Sequence, residues 1–428
     1  MLEKLFHLKD RQTTVRVEFI AGVTTFLTMA YVIFVIPATL QTTGMDKEAL
    51  IAATCLVAAI STLMMGFAAN VPIALAPGMG LNAFFAYTLV ITYGIGWQTA
   101  LGIVFWGGVL FLLLSLVGIR EKIMNAIPAA IVTAIPVGIG LFLLFIGLQN
   151  MGVIVDNPAT LVMLGKFTPS VVIGLVGLFL TIILLIKKVK GAILIGIVLS
   201  TLLALLGGLV NPPQTVVSLN VNVEPIAFKL DILGALKLSL IGPVFALFYI
   251  NMFDSLGTLV ACSTEAGLVQ PDGKIKNINR MLVIDAFSTV LSGLLGTSPA
   301  TAYIESATGI AEGGKTGLTA IITGLLFIIA LAFIPLISVV PAYATAPSLI
   351  IVGILMVSQI RHINFDIWEE SIPAIFTLVM MPLSFSIATG MACGFLSWGI
   401  IKMLLFKFRE ISLIFYLIMV VSVVSLLL

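Results

Sequence analysis

The stretch GTSPATAYIESATGIAEGGKTG, residues 296–317, decides how the chain folds. It lies between two long apolar runs, yet it holds a proline, several hydroxyls, many small residues and one carboxylate, Glu305. Backbone of this kind is tolerated at membrane depth only where it is buried in protein or lines a wet cavity. Its reading therefore turns on whether the surrounding chain lives in a bilayer.

Composition answers that. The chain has 428 residues, 60% of them hydrophobic and 9% charged, with a mean hydropathy of +1.23. A soluble surface needs roughly 25% charged residues, so an integral membrane protein is implied. The formal net charge of +2 comes from cations scattered over short loops and points to no nucleic-acid partner. Cys55, Cys262 and Cys393 lie far apart in apolar surroundings and read as small packing residues, with no redox or zinc spacing. Residues 1–16 are of mixed charge, and the first apolar run is too long for a signal peptide, so it reads as a permanent span.

Apolar runs fall near 17–40, 49–68, 72–92, 97–118, 125–148, 168–186, 191–210, 238–262, 281–296, 297–312, 315–334, 342–359, 371–383 and 386–403. That is an all-α polytopic chain of about fourteen transmembrane segments at about 20 residues each, with an apolar tail at 411–428 that either spans or lies flat. Lys4, Lys9, Arg11 and Arg16 precede the first span; Arg120, Lys122, Lys187, Lys188, Lys190, Lys274, Lys276, Arg280, Arg361, Lys402, Lys407 and Arg409 follow even-numbered ones. All fall on one side if fourteen crossings are counted, which makes that side, with the N-terminus, cytoplasmic. The external segment 211–233, beginning NPPQTVVSLNVNVEPIAFKLD, divides the chain into residues 1–210 and 234–428. Seven spans per half force opposite orientations, the inverted repeat common among secondary transporters.

In each half the third span is interrupted. NVPIALAPGMGLNAFFAY (70–87) and GTSPATAYIESATGIAEGG (296–314) both open with a proline, pass through small residues and then become helix-compatible. Pro72 and Pro77 remove backbone donors, and Gly78 and Gly80 weaken a helix, so an extended half followed by a half-helix is expected in each. A pair of broken segments at matching positions points to a transporter's binding site. Asp254, in LFYINMFDSLGTLVAC (247–262), lies eleven residues from the cytoplasmic end near Glu265, about 16 Å deep at ~1.5 Å per residue. The second half-helix would start near Glu305, at about the same depth. Carboxylates there are costly and read as functional by default.

The remaining ionisable groups read as peripheral. Asp285, near Arg280, is taken as an interfacial partner, and Arg16, Glu18, Glu312 and Lys315 as membrane-edge residues. His7 and His362 lie too far apart for a metal site. The chain has no HExxH, G-x-S-x-G or Walker pattern, so neither a cofactor nor an enzymatic activity is expected, and transport without ATP is the simplest inference.

TTFLTMAYVIFVIP (24–37), LAPGMGLNAFF (75–85), FDSLGTL (253–259) and GTSPATAYIESATGIAEGGKTGLTA (296–320) resemble the AzgA-like purine permeases of the nucleobase–cation symporter family, within the xanthine/uracil permease superfamily. The resemblance runs in order over nearly the whole chain. It departs at Ile36, where the family usually has asparagine, and at Lys315, where arginine is common. It implies a substrate-holding core of spans 1–4 and 8–11 (17–118 and 238–334) and a gate of spans 5–7 and 12–14 (125–210 and 342–403). It also implies proton-coupled import of hypoxanthine, guanine or adenine across the cell membrane, and it leaves a homodimer open. Asn82, Asp254 and Glu305 match the family's motifs and become the expected binding residues, with Gly78 beside them.

A purine presents N–H donors and ring acceptors in one plane. A fixed carboxylate suits adjacent N–H groups, and Glu305 is assigned that task; half-helix N-termini suit ring nitrogens or a carbonyl. Phe84, Phe85 and Tyr303 are nearby aromatics, one of which could stack on the base, with Phe85 better read as packing. A carboxyl taken out of water favours its neutral form, so Asp254, with Glu305, is the expected proton-coupling group. The rival closest in kind is a uracil, xanthine or small-anion carrier of the same fold. An anion carrier should show a cation at the site, and neither broken segment holds Lys or Arg before Lys315. A channel would need repeated subunits, and a two-aspartate membrane protease a matched acid dyad.

Overall fold

The computed structural model describes residues 2–117, 127–213, 215–270 and 275–427. Arg120, Lys122, Lys274 and the first residues expected in span 5 lie outside them. The spans are Val15–Thr43, Lys47–Ala69, a third formed by a strand and the helix Met79–Thr92, then Trp97–Val117, Ala129–Met151, Pro169–Ile186 and Ala192–Leu206 in the first half. The second half repeats the plan with Leu238–Glu265, Ile278–Leu295, a strand-and-helix span ending at Ala311, then Gly317–Ser338, Ala342–His362, Trp368–Leu383 and Ile387–Leu404. Ten of these helices are long and apolar enough to cross a membrane, among the described residues. The tail forms a further helix, Leu413–Leu427, packed mainly on span 14.

Packing follows the inverted repeat. Span 4 packs against span 9 and span 2 against span 11, which are the same contact once each span is exchanged for its partner seven places on. Span 5 packs on span 12, its own counterpart. Small residues permit these close approaches: a Cβ on Gly140 would come within 2.7 Å of the Gly353 carbonyl oxygen, and one on Gly353 within 2.6 Å of that of Gly140. Without a hydrophobic drive between helices in lipid, such close backbone packing is a principal source of association.

The two interrupted spans meet each other. Strand β1 (Leu75–Pro77) pairs antiparallel with the strand of span 10, Ala300–Ala302, with Ala76 opposite Thr301. Between them in the chain lies a hairpin, β2 (Ile154–Asn157) with β3 (Leu161–Leu164), so the span-10 strand is β4. At the flanks of the pair, Gly78 N–H donates to the Pro299 carbonyl (2.8 Å) and Tyr303 N–H to that of Ala74 (3.0 Å). The outer edges are satisfied by hydroxyls from spans 2 and 9, again inverted counterparts. Thr62 bonds both backbone groups of Leu75 at 2.9 Å. Ser292 accepts from Ala300 N–H (3.1 Å), and Thr289 donates to the Ala300 carbonyl (3.0 Å).

Glu18 corrects one expectation. It stands at the start of span 1 but is fully buried, where it caps span 11. Its carboxylate accepts the N–H groups of Lys315 (3.0 Å), Thr316 (3.3 Å) and Thr319 (3.2 Å) and the Thr319 hydroxyl (2.6 Å). The start of a helix has spare donors and favours negative charge, so this acid joins the two halves. Glu312, by contrast, is partly exposed and pairs with Lys190 at 2.7 Å. Glu18→Ala strands these donors and should cost about 1–3 kcal/mol, read as a lower melting temperature in detergent; an unchanged melting curve would show that the cap does not matter.

Candidate functional site

Each strand hands over to a half-helix at its inner end. In span 3, Gly78 is the N-cap of a helix that begins at Met79 and passes into a π-helical stretch over Phe84–Thr92. In span 10, Glu305 is the N-cap of the short helix Ser306–Ala311. The extended segment, the half-helix and the acid at their junction thus follow the sequence pattern.

A cavity of about 110 Å³ opens beside the crossing point. A drug-sized pocket is typically several hundred Å³, so this space suits a small molecule. Asp254, Glu305, Tyr303 and Gly78 all line it, and so do Tyr31, Thr258 and Thr301. Val352 and Met356 of span 12 close the opposite wall. Glu305 accepts a hydrogen bond from the Tyr31 hydroxyl at 2.5 Å. Tyr303 donates its hydroxyl to the Pro77 carbonyl at 2.5 Å, which ties the half-helix junction of span 10 to the end of β1. Thr301 shares a hydrogen bond of 2.8 Å with Ser255. No lysine or arginine is among the lining residues described.

Asn82 and Phe84 do not reach the cavity wall. Both are buried one to two turns farther along the span-3 half-helix, Asn82 with its Oδ1 unpartnered. Phe85 is fully buried as well, as expected of packing. Tyr31, within the stretch 24–37, joins the site without any local sequence signal beyond that motif. It is exposed to the site because span 1 is interrupted between Met29 and Val32, upstream of Pro37. Asp285 departs from its expected interfacial place: it is fully buried, and neither carboxylate oxygen has a hydrogen-bond partner. Seven residues into its helix, it faces the neighbouring spans rather than lipid headgroups.

Gly78 is required by space. A Cβ there would come within 2.5 Å of Thr301 Cγ2 and 3.5 Å of Asp254 Oδ2. Gly80 lies close against span 5, where a Cβ would approach Ile139 Cγ2 to 2.9 Å.

Residues 16–393 match the Permease family (Xan_ur_permease). The chain is 45% identical over 413 residues to the adenine permease AdeQ of Escherichia coli (strain K12), covering 96% of this chain and 93% of that protein. It is 40% identical over 427 residues to the guanine/hypoxanthine permease PbuG of Bacillus subtilis (strain 168), with 97% of each covered. Among solved structures, the transmembrane domain of a cyanobacterium bicarbonate transporter, BicA, superposes with a TM-score of 0.66 at 16% identity, over 89% of this chain and 97% of that one. The last likeness concerns the fold alone.

Gly78→Ala should push β1 and β4 apart at a cost of about 1–3 kcal/mol, and Thr301→Ser, which removes the obstructing methyl, should restore most of it. Thermal unfolding of both variants and the double variant checks this. A Gly78→Ala protein as stable as the parent would show that the contact is not tight.

Proposed function

We propose, from the premise that this chain belongs to the Permease family, that it imports purine nucleobases across the cell membrane together with protons. Family membership makes it a multi-pass transporter rather than an enzyme. The cargo is the class named for its relatives, adenine and guanine/hypoxanthine. One observation carries the assignment to a site: two carboxylates from different spans, Asp254 and Glu305, share one cavity with tyrosine and threonine hydroxyls.

The chemistry of that wall suits a flat heterocycle. Glu305, steadied by Tyr31, accepts from adjacent ring N–H groups of the base. The Thr258 and Thr301 hydroxyls can donate to ring nitrogens or accept from an exocyclic amine. Val352 and Met356 supply apolar cover for a ring face. The want of a lining cation disfavours the small-anion alternative, which would need positive charge at the site. Asn82 and Phe84, behind this wall, act through the shape of the span-3 half-helix.

Residues 17–118 and 238–334 serve as the core that holds the base, and 125–210 and 342–403 as the gate. The cavity lies between the two, with the strand ends on one side and span 12 on the other. Movement of the core against the gate then turns the loaded cavity from one face of the membrane to the other, with the N-terminus on the cytoplasmic side. A pair of acids cannot cross that apolar seam charged at tolerable cost. Proton binding at Asp254 removes charge from the loaded core, and its loss inside loosens the base.

Labelled adenine and hypoxanthine uptake into proteoliposomes tests the reading. Glu305→Gln replaces a charged acceptor with an amide and should lower purine uptake roughly tenfold or more, as expected for a charged hydrogen bond worth about 1.5–3 kcal/mol. Uptake equal to that of the parent would remove Glu305 from the site. Asp254→Asn should keep counterflow of labelled against unlabelled purine while losing accumulation driven by a pH gradient; full uphill uptake by that variant would rule out its coupling role.

A further inference from the structure

Gly257, on span 8, is a glycine that neither packing nor backbone conformation requires. A Cβ on Gly78, Gly140 or Gly353 would come within 2.7 Å of a neighbour. Gly44, Gly94, Gly208 and Gly267 have open space around them, but each has a positive φ, where glycine is favoured. Gly257 lies well inside the helix Ile241–Glu265, and a Cβ there would meet no described atom within 4 Å. Glycine in a helix interior costs stability relative to alanine, so the open space beside it calls for a reason. That space belongs either to lipid or to the cavity.

The faces of two spans decide between them. Asp254 and Thr258, which line the cavity, stand three residues before Gly257 and one after it, so all three share one side of the helix. Ala261 and Glu265 continue that side to the helix end, and both are exposed. On the half-helix of span 10, Thr308 and Glu312 follow Glu305 at helical spacing. Thr308 is exposed, and its hydroxyl shares a hydrogen bond of 2.9 Å with that of Thr28 on span 1. Span 8 packs on this half-helix, and the two run in the same direction. Ile304, beside Glu305 on the cavity wall, is 51% exposed. Hydroxyls and carboxylates are costly against lipid tails, and this surface carries Thr28, Thr258, Thr308, Glu265 and Glu312. The open space at Gly257 is therefore wet, and it leads from the cavity to the end of span 8.

We infer that Gly257 sets the width of the passage through which cargo reaches or leaves the cavity, and so limits the size of the molecule that passes. A flat heterocycle can slide edge-on across bare backbone at this point, with its polar edge toward the threonine hydroxyls. A side chain at 257 projects into the passage without touching the fold. The identity of the cargo rests on the purine-transport reading; the passage itself does not.

Gly257→Ala, Gly257→Leu and Gly257→Phe test this in proteoliposomes. Adenine uptake should fall in that order, with Gly257→Phe roughly tenfold or more below the parent, the scale on which added methylene-sized groups alter a fitted site. Gly257→Ala and Gly257→Leu should melt no lower than the parent, because their side chains enter open space. Parent-like uptake by both Gly257→Leu and Gly257→Phe, or a lower melting temperature of Gly257→Ala, would overturn the proposal. A readout that needs no cargo is the reaction of Gly257→Cys and Thr308→Cys with a charged, membrane-impermeant thiol reagent in nanodiscs, where both faces of the bilayer are accessible. Both should react faster than the parent, whose Cys55 and Cys262 are buried and Cys393 partly so, and adenine should slow the reaction at 257. No reaction at 257 above that of the parent would place Gly257 against lipid and refute the passage. Labelling that adenine leaves unchanged in a protein that transports it would show a wet space the cargo does not use, which also refutes it. If the parent takes up no adenine, the transport reading fails instead, and labelling without adenine decides the passage.

Discussion

The structure depends on one exchange of backbone hydrogen bonds inside the membrane. A bilayer offers no water to an extended chain, so three residues of strand can exist there only if another segment satisfies them. β1 and β4 do this for each other, and Thr62, Thr289 and Ser292 complete the outer edges. Neither broken span could stand alone. Each is stable because its inverted counterpart is broken at the same depth.

The remaining architecture follows from that crossing. The strands end where the half-helices begin, which fixes Gly78 and Glu305 at adjoining corners of one cavity. Tyr303 locks the corner to Pro77, and Gly78 leaves just the room that Thr301 needs. Glycine and hydroxyl residues at the crossing are thus a geometric requirement, and the polar side chains they bring in provide the chemistry. Val352 and Met356 of span 12 line the same cavity, so its walls come from both the broken spans and the packed pair of spans 5 and 12.

Much of this could be read from the chain. Prolines followed by glycines in two matching spans announced the breaks, and depth along a helix placed Asp254 and Glu305 together. The helices fall close to where the apolar runs put them, ten of those described being long enough to cross a membrane. What escaped was rotational phase and tertiary contact. Distance from a helix end places Asp285 and Glu18 at the membrane edge but says nothing about which way a side chain points; both are buried, and Glu18 caps a helix three hundred residues away. Asn82 and Phe84 belong to the right half-helix yet are not among the residues that line the cavity. Tyr31, Val352 and Met356 lie in stretches that look like ordinary membrane helix, and only the folded contacts bring them to the wall. The β1–β4 pairing could not be read at all, since three-residue strands carry no periodic signal.

Cryo-electron microscopy of the full chain in nanodiscs with adenine bound would test the central claim most directly. The expected map has the base in the cavity between the β1–β4 crossing and span 12, with a ring edge within hydrogen-bond distance of the Glu305 carboxylate. A base bound elsewhere, or residues 75–77 and 300–302 drawn apart as continuous helices, would contradict it.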